Sequence, residues 1–440
     1  MSSLKDVYKS FDSVFDRTLT KSMQSRSMVF ESVTGNTAYA MDSQQFLDSA
    51  AGAEFGIQQA IRGLFGKKDI NPHSIGGHPH FDHLKEPGAI EYGFNVSLFM
   101  DIKGSTKLGL IYSPEEVFFI KNTIIRCTIE TIRAFDGHVH RIMGDAVLAF
   151  FRGDGVSARN AAIDAVNCGC YLVEFMRQLV APKLRDNNVA EDVGIRVGVD
   201  YGQHDKVLWG MYGFEGSSEV TATSFYVDVA AKLQQAAPRN RVMIGESLKS
   251  LLDLHDGVVE LKKVKEAGED IFERFIYPNY TGADGKPVNY RKFVLSQKHY
   301  FGLLPKPEWS HAPIQLAAVL KANKDAIGTG ENYYPCSRSI PKGQGIEFKA
   351  RFKMPKTAGK VTVNFRVTNH GNDAESLGLT HCKYEDEVEP AYNHERGEYF
   401  AKYWRDTAYT GLHYMSVSVL IDGTIYLREQ DFGVYIGANS

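Results

Sequence analysis

Hydrophobic residues in the middle of the chain recur first at helical and then at strand-like spacing. Ser113, with proline next and a glutamate three residues later, is typical of a helix start, because serine can cap the first turn. Apolar side chains then recur every three or four residues as far as Phe135, where Asp136-Gly137 predicts the helix end. Two short apolar runs on either side of Gly144-Asp145 predict a hairpin.

The alternation of the two spacings continues through the centre of the chain. We expect helices at 157–180, 224–237 and 246–254, strands at 193–201, 206–212 and 241–245, a Gly/Ser-rich loop at 213–218, and closing β-hairpins at 257–298. Strands that alternate with crossover helices predict an α+β fold, in which helices cover a mixed sheet.

The last third of the chain has a strand-like pattern. Apolar residues alternate at 346–354 and at 361–367, and we expect these two strands to form a hairpin through 355–359. Asp422-Gly423 between two apolar runs predicts a second hairpin. A β-rich domain is therefore expected over 299–440. Its aromatic residues, including Trp309 and Trp404, are interpreted as core, with a ligand pocket as the alternative.

The first 90 residues are polar and mixed, with helical stretches at 4–22 and 43–64 that are too short for a core of their own. We expect an N-terminal helical extension that packs on the central domain or on a partner chain. Segment 71–83 holds four histidines and an aspartate, but its prolines and paired glycines favour a polar linker over a metal site.

Composition limits the classes of partner. The 440 residues are 43% hydrophobic with a formal net charge of −3, which is typical of a globular chain of two or three domains. Without a long basic run, no nucleic-acid partner is expected. No apolar stretch approaches the roughly 18 residues of a membrane span, and the N-terminus lacks the apolar core of a signal peptide. We therefore expect a cytoplasmic protein without direct membrane insertion.

Two aspartates are the most informative polar residues. Asp101 and Asp145 each follow an apolar, strand-like run, and a helix-like segment separates them. Such a pattern brings two distant carboxylates together on adjacent strands, where they can share divalent metal ions. A site with few protein carboxylates, beside a turn of small residues, suits nucleoside triphosphate chemistry.

Four sequence blocks carry a resemblance to a known family. They are Phe99-Met100-Asp101-Ile102-Lys103-Gly104-Ser105-Thr106, Arg141-Ile142-Met143-Gly144-Asp145-Ala146-Val147-Leu148-Ala149-Phe150, Ile195-Arg196-Val197-Gly198-Val199-Asp200-Tyr201-Gly202 and Val227-Asp228-Val229-Ala230-Ala231-Lys232-Leu233. In order and spacing, the segment from about 92 to 252 resembles the catalytic domain of class III nucleotidyl cyclases. The resemblance implies a class III cyclase-type mixed sheet with covering helices over 91–298.

The resemblance also implies two divalent metal ions per site, Mn²⁺ or Mg²⁺. Asp101, Asp145 and the backbone carbonyl of Ile102 would be their ligands. One ion would activate the ribose 3′-hydroxyl, and the other would hold the triphosphate and the departing pyrophosphate. The backbone of the following turn would bind phosphate oxygens. That turn consists of Lys103, Gly104, Ser105 and Thr106.

Asp228 and Lys232 depart from the family pattern. Class III cyclases place an asparagine and an arginine at these positions, to orient the ribose and to stabilise the transition state. Lysine can still act there as a point charge, but without the planar fork of arginine. Because the two residues are four apart on a predicted helix, a surface salt bridge is the simple alternative.

Arg141 and Thr221 occupy the positions that read the base in purine cyclases, and they match neither the adenylyl nor the guanylyl pattern. Arginine only donates hydrogen bonds, so it can bind O2 and N3 of cytosine or the carbonyls of uracil while filling space that a purine needs. The sequence therefore disfavours ATP and GTP. From these side chains alone, CTP and UTP both remain open.

The whole chain is similar to the pyrimidine nucleotide cyclases of Pycsar anti-phage systems, and its end resembles the AGS-C sensor-like domain. The residues that carry the latter resemblance are 367–374 and 409–414. It implies synthesis of cyclic CMP, or alternatively cyclic UMP, as a messenger for a separate, membrane-associated effector protein. It also implies a homodimer with sites at the subunit boundary. Further alternatives are an adenylate cyclase in ordinary signalling and a non-catalytic nucleotide-sensing module.

Overall fold

The computed structural model describes residues 3–9, 11, 55–86, 88–153, 155–186, 193–214, 217–266, 268–326, 330–357, 359–380 and 383–438. Most of the two N-terminal stretches predicted as helical, 4–22 and 43–64, lies outside these residues.

The described residues up to Leu303 form a mixed set of helices and strands. The helices are α1 (Leu4–Val7), α2 (Gly56–Leu64), α3 (Ser105–Ile111), α4 (Pro114–Ala134), α5 (Ala158–Phe175), α6 (Ala181–Asp186), α7 (Phe225–Ala236), α8 (Glu246–Leu252) and α9 (Gln297–Leu303). The strands are β1 (Ile90–Tyr92), β2 (Asn95–Lys103), β3 (His138–Met143), β4 (Ala146–Phe151), β5 (Gly194–Gly202), β6 (Leu208–Phe214), β7 (Ser217–Thr223), β8 (Arg241–Gly245), β9 (Val259–Glu260), β10 (Lys262–Glu266), β11 (Glu269–Glu273) and β12 (Lys292–Leu295). Short 3₁₀ helices occur at Pro79–Lys85 and His204–Lys206.

A seven-stranded sheet organises this region, in the order β3-β4-β2-β5-β8-β12-β9. Strands β5 and β8 are parallel, because α7 crosses over between them, and their other neighbours in the sheet are antiparallel. A small sheet of β1, β6 and β7 lies beside it, and β10 pairs with β11. The α+β class and the mixed sheet are therefore confirmed.

The helix that begins after Ser113 is confirmed with its cap. The Ser113 side chain accepts a hydrogen bond from the Glu116 N–H at 3.3 Å, and the Glu116 carboxylate accepts one from the Ser113 N–H at 2.7 Å. Asp136, at φ 59°, ends the helix as expected. The helix expected at 157–180 is longer, since α5 continues through a π-helical turn, Met176–Val180, into α6.

Two predictions for connecting segments were wrong. The expected loop at 213–218 is largely strand, because β6 and β7 pair across it as far as Phe214 and Ser217. Segment 71–83 is more than a polar linker, since His78 and Phe81 are buried against Trp209. Among the described residues, no three histidine, cysteine or acidic side chains are close enough together to hold a metal ion.

The described part of the N-terminal extension packs on the central domain, which is one of the two arrangements that we expected. Tyr8 and Phe11 are fully buried, and both rings contact Phe175 of α5. The Tyr8 hydroxyl lies 2.9 Å from the Thr131 hydroxyl on α4. These contacts add α1 to the hydrophobic core that α4 and α5 form on one face of the large sheet.

The rest of the chain is a β-sandwich. Its strands are β13 (Gln315–Lys321), β14 (Glu331–Tyr333), β15 (Ser339–Pro341), β16 (Gly345–Lys353), β17 (Val361–Thr368), β18 (Lys383–Val388), β19 (Ala391–Asn393), β20 (Glu398–Asp406), β21 (Gly411–Ile421) and β22 (Thr424–Gly437), with one short helix, α10 (Asn372–Ser376). The two five-stranded sheets have the orders β14-β13-β16-β20-β19 and β15-β22-β21-β17-β18. They enclose a separate hydrophobic core.

One hairpin of this region was predicted correctly and one was not. Strands β21 and β22 pair across Asp422-Gly423, where both residues have positive φ, as a tight hairpin turn requires. Strands β16 and β17 do not pair, because 355–359 carries the chain from one sheet to the other. Alternation shows that a strand has one buried face, but it does not show which strand is its neighbour.

The sandwich shares a buried contact with the central domain. The Asn167 side chain of α5 donates to the Cys336 carbonyl at 2.9 Å, and the Tyr300 hydroxyl lies 2.9 Å from the Tyr435 hydroxyl. The His255 ring, just after α8, stacks on His370 with ring centres 3.5 Å apart. The two parts of the molecule are therefore packed together.

Candidate active site

The structure brings Asp101 and Asp145 to the same end of two adjacent strands. Asp101 lies near the end of β2 and is paired with Ala146 of β4, while Asp145 occupies the turn between β3 and β4. The Ile102 N–H donates to the Asp145 carbonyl at 3.3 Å, which ties the two segments together. Both carboxylates are partly exposed, with 17% and 25% of their side-chain surface accessible.

Asp101 has two partners within the chain. The Arg196 guanidinium contacts its carboxylate at 2.5 Å, and the Gln234 side-chain amide donates to it at 3.2 Å. Arg196 is the residue opposite Asp101 in the register of β2 and β5. Sequence reasoning assigned no role to Arg196, although it lies in the third block of the family resemblance. The register between β2 and β5, which the sequence does not give, brings Arg196 next to Asp101.

Asp145 contacts the turn that follows β2. The Ser105 hydroxyl donates a hydrogen bond to its carboxylate, and the Lys121 ammonium of α4 lies 3.7 Å away. Gly104 has φ 87°, which lets the chain turn from Lys103 at the end of β2 into α3 without the strain of a side chain. Ser105 is buried and Thr106 is exposed.

The donor set fits a divalent cation that binds oxygen. Asp101, Asp145 and the Ile102 carbonyl would supply hard oxygen ligands at one end of the sheet, and Mg²⁺ or Mn²⁺ prefers such ligands. Two carboxylates leave positions for substrate phosphates and water, as is usual for Mg²⁺ in phosphoryl chemistry. A class III cyclase domain depends on divalent metal in general.

Helix α7 carries Asp228 and Lys232 along the sheet. The Ser224 hydroxyl caps the helix by accepting from the Tyr226 N–H at 3.2 Å. Asp228 is exposed and Lys232 is half-buried, and no ion pair joins them in the described part of the chain. The simple alternative of a surface salt bridge is thus not formed. Because Gln234 contacts Asp101, the same helix approaches the carboxylate pair.

Arg141 contacts a residue that the sequence analysis missed, and that residue lies on the same strand as Thr221. The Arg141 guanidinium forms an ion pair with Glu219 of β7, and its Nε lies 3.3 Å from the Glu219 carboxylate. The neighbouring His140 Nε2 is also 3.3 Å from that carboxylate. Thr221 is two residues further along β7, so its side chain leaves the strand on the same side as Glu219.

Comparison with known proteins places this chain in a family. Residues 93–272 match the adenylate and guanylate cyclase catalytic domain, and residues 295–437 match the adenylyl/guanylyl and SMODS C-terminal sensor domain. A cytidylate cyclase from Escherichia coli is 40% identical over 395 residues, which cover 87% of this chain and 83% of the relative. The chain belongs to the cytidylate cyclase family. A member from Staphylococcus aureus is 32% identical, covering 98% of this chain and 96% of that one.

This chain combines a cyclase catalytic domain with a C-terminal sensor domain. A solved structure, the adenylyl cyclase CyaB from P. aeruginosa, is 20% identical and covers 47% of this chain and 95% of its own, with a TM-score of 0.37. In the described parts of the chain, every helix is too short or too polar to cross a membrane.

Proposed function

We propose that this chain converts CTP to 3′,5′-cyclic CMP and pyrophosphate, and that the Arg141–Glu219 pair selects cytosine. The proposal rests on the ion pair between Arg141 and Glu219, because the chain belongs to the cytidylate cyclase family and this pair fits cytosine. The 3′-oxygen of the ribose attacks the α-phosphorus, the bond from that phosphorus to the β-phosphate oxygen breaks, and the 3′-proton passes to solvent. Pyrophosphate leaves.

The paired charges match the edge of cytosine and oppose the edge of uracil. Cytosine presents two acceptors, O2 and N3, next to a donor, the N4 amino group. The Arg141 guanidinium can only donate and the ionised Glu219 carboxylate can only accept, so the pair is complementary to that pattern. Uracil presents a carbonyl oxygen and an N–H in place of N4 and N3. Uracil would therefore place an acceptor, O4, next to the Glu219 carboxylate and a donor, N3–H, next to the Arg141 guanidinium, and neither contact is a hydrogen bond.

The carboxylate pair would hold the metal ions of the reaction. Asp101, Asp145 and the Ile102 carbonyl would bind two Mn²⁺ or Mg²⁺ ions, whose charge lowers the pKa of the ribose hydroxyl and stabilises the leaving pyrophosphate. Arg196 forms an ion pair with Asp101 and would contact the triphosphate once metal ions occupy that carboxylate. The turn of Lys103, Gly104, Ser105 and Thr106 would supply N–H groups to phosphate oxygens.

Lys232 and Asp228 would act on the ribose and on the transition state. Lys232 is half-buried without an ion-pair partner among the described residues, so its charge is available to a developing phosphorane. Asp228 would accept a hydrogen bond from a ribose hydroxyl. The site would be completed across a homodimer, with Asp101 and Asp145 from one chain and the base-reading and transition-state residues from the other.

We also infer that the product is a messenger in anti-phage defence. The sensor domain fused to the cyclase supports regulated synthesis, and a separate, membrane-associated effector would respond to the product. Cyclic CMP that rises in cells after phage infection, and only with an intact Asp145, would support this role. A constant level through infection would contradict it.

The experiment on the proposed activity measures kcat/KM of the purified chain with each of the four ribonucleoside triphosphates and Mn²⁺ or Mg²⁺. We expect cyclic CMP from CTP and no product from the Asp145→Ala variant. Glu219→Gln should lower the CTP-to-UTP preference about 10- to 100-fold, since a hydrogen bond to a charged group contributes about 1.5–3 kcal/mol. Glu395→Gln, an exposed glutamate in the sandwich, is the matched control.

The possible outcomes separate two claims. Cyclic UMP or cyclic AMP as the main product of the unmodified chain would contradict the cytidylate activity. An equal loss of kcat/KM for CTP and UTP in Glu219→Gln would leave the activity standing. It would show that Glu219 only positions Arg141 and does not read the base.

A further inference from the structure

A cavity of about 470 Å³ lies between the two sheets of the C-terminal sandwich. Ile346 and Phe348 of β16 form one wall, and Met415, Val434 and Ile436 of β21 and β22 form the other. The segment that follows β20 closes one side with Tyr409. The volume is in the range of small-molecule sites, and the apolar walls are typical of such sites.

Several polar side chains also line this cavity, among them Asn369, Arg405, Asp406, Thr407 and His413. The Arg405 guanidinium lies over the Tyr384 ring, 5.2 Å from its centre, and makes no ion pair with a carboxylate of the described chain. Asn369 is only 8% exposed, and its amide forms no hydrogen bond with another described residue. Arg405 is half-buried, so its guanidinium and the Asn369 amide are both available to a ligand that enters the cavity.

A further polar residue of the lining, His413, is held in one protonation state. Burial lowers the pKa of His413 to about 4, so the ring is neutral at pH 7. Its Nδ1 accepts from the His370 N–H at 3.4 Å, and its Nε2 donates to the Tyr409 carbonyl at 2.8 Å. The cavity therefore offers one cationic group, one amide with a donor and an acceptor, and aromatic surfaces. It also holds one carboxylate, Asp406, which accepts a hydrogen bond from the Trp404 indole N–H at 3.1 Å.

We propose that this cavity binds a small anionic compound with a planar heterocyclic ring, of the size of a nucleoside monophosphate, and that its occupancy controls the cyclase. Arg405 would bind the anionic group, Asn369 would pair with the edge of the ring, and Tyr384 and Tyr409 would contact its faces. This site is separate from the carboxylate pair at the end of the large sheet.

A short series of contacts joins the cavity to the catalytic domain. His413 binds the backbone of His370, whose ring stacks on His255. His255 follows α8, which packs on β5 of the catalytic sheet. Tyr414, next to His413 on β21, forms a hydrogen bond with His255 and packs against the catalytic core. A ligand that moves β21 therefore moves residues that contact the cyclase domain.

The test is calorimetric titration of the full chain with CMP, cyclic CMP and cytidine, in EDTA so that the metal carboxylates do not hold phosphate. We expect CMP or cyclic CMP to bind at least tenfold more tightly than cytidine, which lacks the anion. Arg405→Gln should weaken that binding at least tenfold. Arg351→Gln is the matched control, because Arg351 lies over the Phe400 ring on the outer face of the same sheet.

A second variant tests the control of the cyclase. His370→Ala should retain binding but abolish the effect of the bound nucleotide on the rate of CTP turnover. Equal affinity for cytidine and CMP, binding by Arg405→Gln as tight as in the unmodified chain, or no binding of either anion would overturn the proposal. The binding results do not depend on which triphosphate the catalytic site uses.

Discussion

Asp200 shows how one buried side chain can make the stability of the whole chain depend on pH. It lies on β5 with no exposed surface, and it accepts hydrogen bonds from the Tyr290 hydroxyl at 2.7 Å and the Ser247 hydroxyl at 3.0 Å. Burial raises the pKa of Asp200 to about 7. The hydrogen bonds that the carboxylate accepts lower the pKa, but by less than burial raises it. The folded chain therefore holds a proton there that the unfolded chain releases near pH 4.

We predict that stability declines as pH rises from about 4 to about 7, because the folded pKa of Asp200 is above its unfolded value. Asp200→Asn should remove this part of the pH dependence, which amounts to a few kcal/mol, about 1.4 for each pKa unit. Urea unfolding at pH 5 and pH 8 measures this difference in the free energy of unfolding. The exposed Asp205→Asn variant should behave like the unmodified chain, and a parallel pH slope in Asp200→Asn would contradict the assignment.

At the scale of elements, the approach of α7 to β5 decides where Lys232 and Asp228 lie. A Cβ atom on Gly198 of β5 would come within 2.2 Å of the Gln234 nitrogen and 2.3 Å of the Ala230 carbonyl oxygen, both of them backbone atoms of α7. The helix rests directly on the strand at this glycine. Its position along the sheet lets Gln234 contact Asp101.

Gly198→Ala should therefore displace α7 and affect both stability and catalysis. We expect a loss of about 1–3 kcal/mol, as for other overpacked sites, and a fall in kcat because Lys232 moves with the helix. Thermal unfolding and CTP turnover measure the two effects. Gly63→Ala is the control, since a Cβ atom on that helical glycine would meet no neighbouring atom within 4 Å, and the variant should be neutral or slightly stabilising.

At the scale of the whole molecule, activity should require two chains that contribute different residues. Suppose that each site takes Asp145 from one chain and Lys232 from the other. The Asp145→Ala and Lys232→Ala variants should then each be inactive alone. Mixed and allowed to exchange subunits, they should recover about a quarter of the unmodified activity, because half of the dimers would carry one intact site of two. No recovery after verified exchange would show that the two residues act within one chain.

The local elements, and the place of each of the two aspartates at the end of a strand, could be predicted from the sequence because neighbouring residues determine them. The capping box at Ser113, the hairpin at Asp422-Gly423 and the strand that ends after Asp101 each depend on a few consecutive side chains. The periodicity also predicted a mixed sheet, because strands separated by crossover helices have few other ways to bury their apolar faces.

Only the tertiary structure decided which segments meet. The pairing of β16 with β20 rather than with β17, the contact of Arg196 with Asp101, and the ion pair of Arg141 with Glu219 all join residues distant in sequence. The cavity between the two sheets has the same origin. Such contacts depend on strand order and on the packing of one layer against another, and hydrophobic periodicity specifies the buried face of a strand but not its partner.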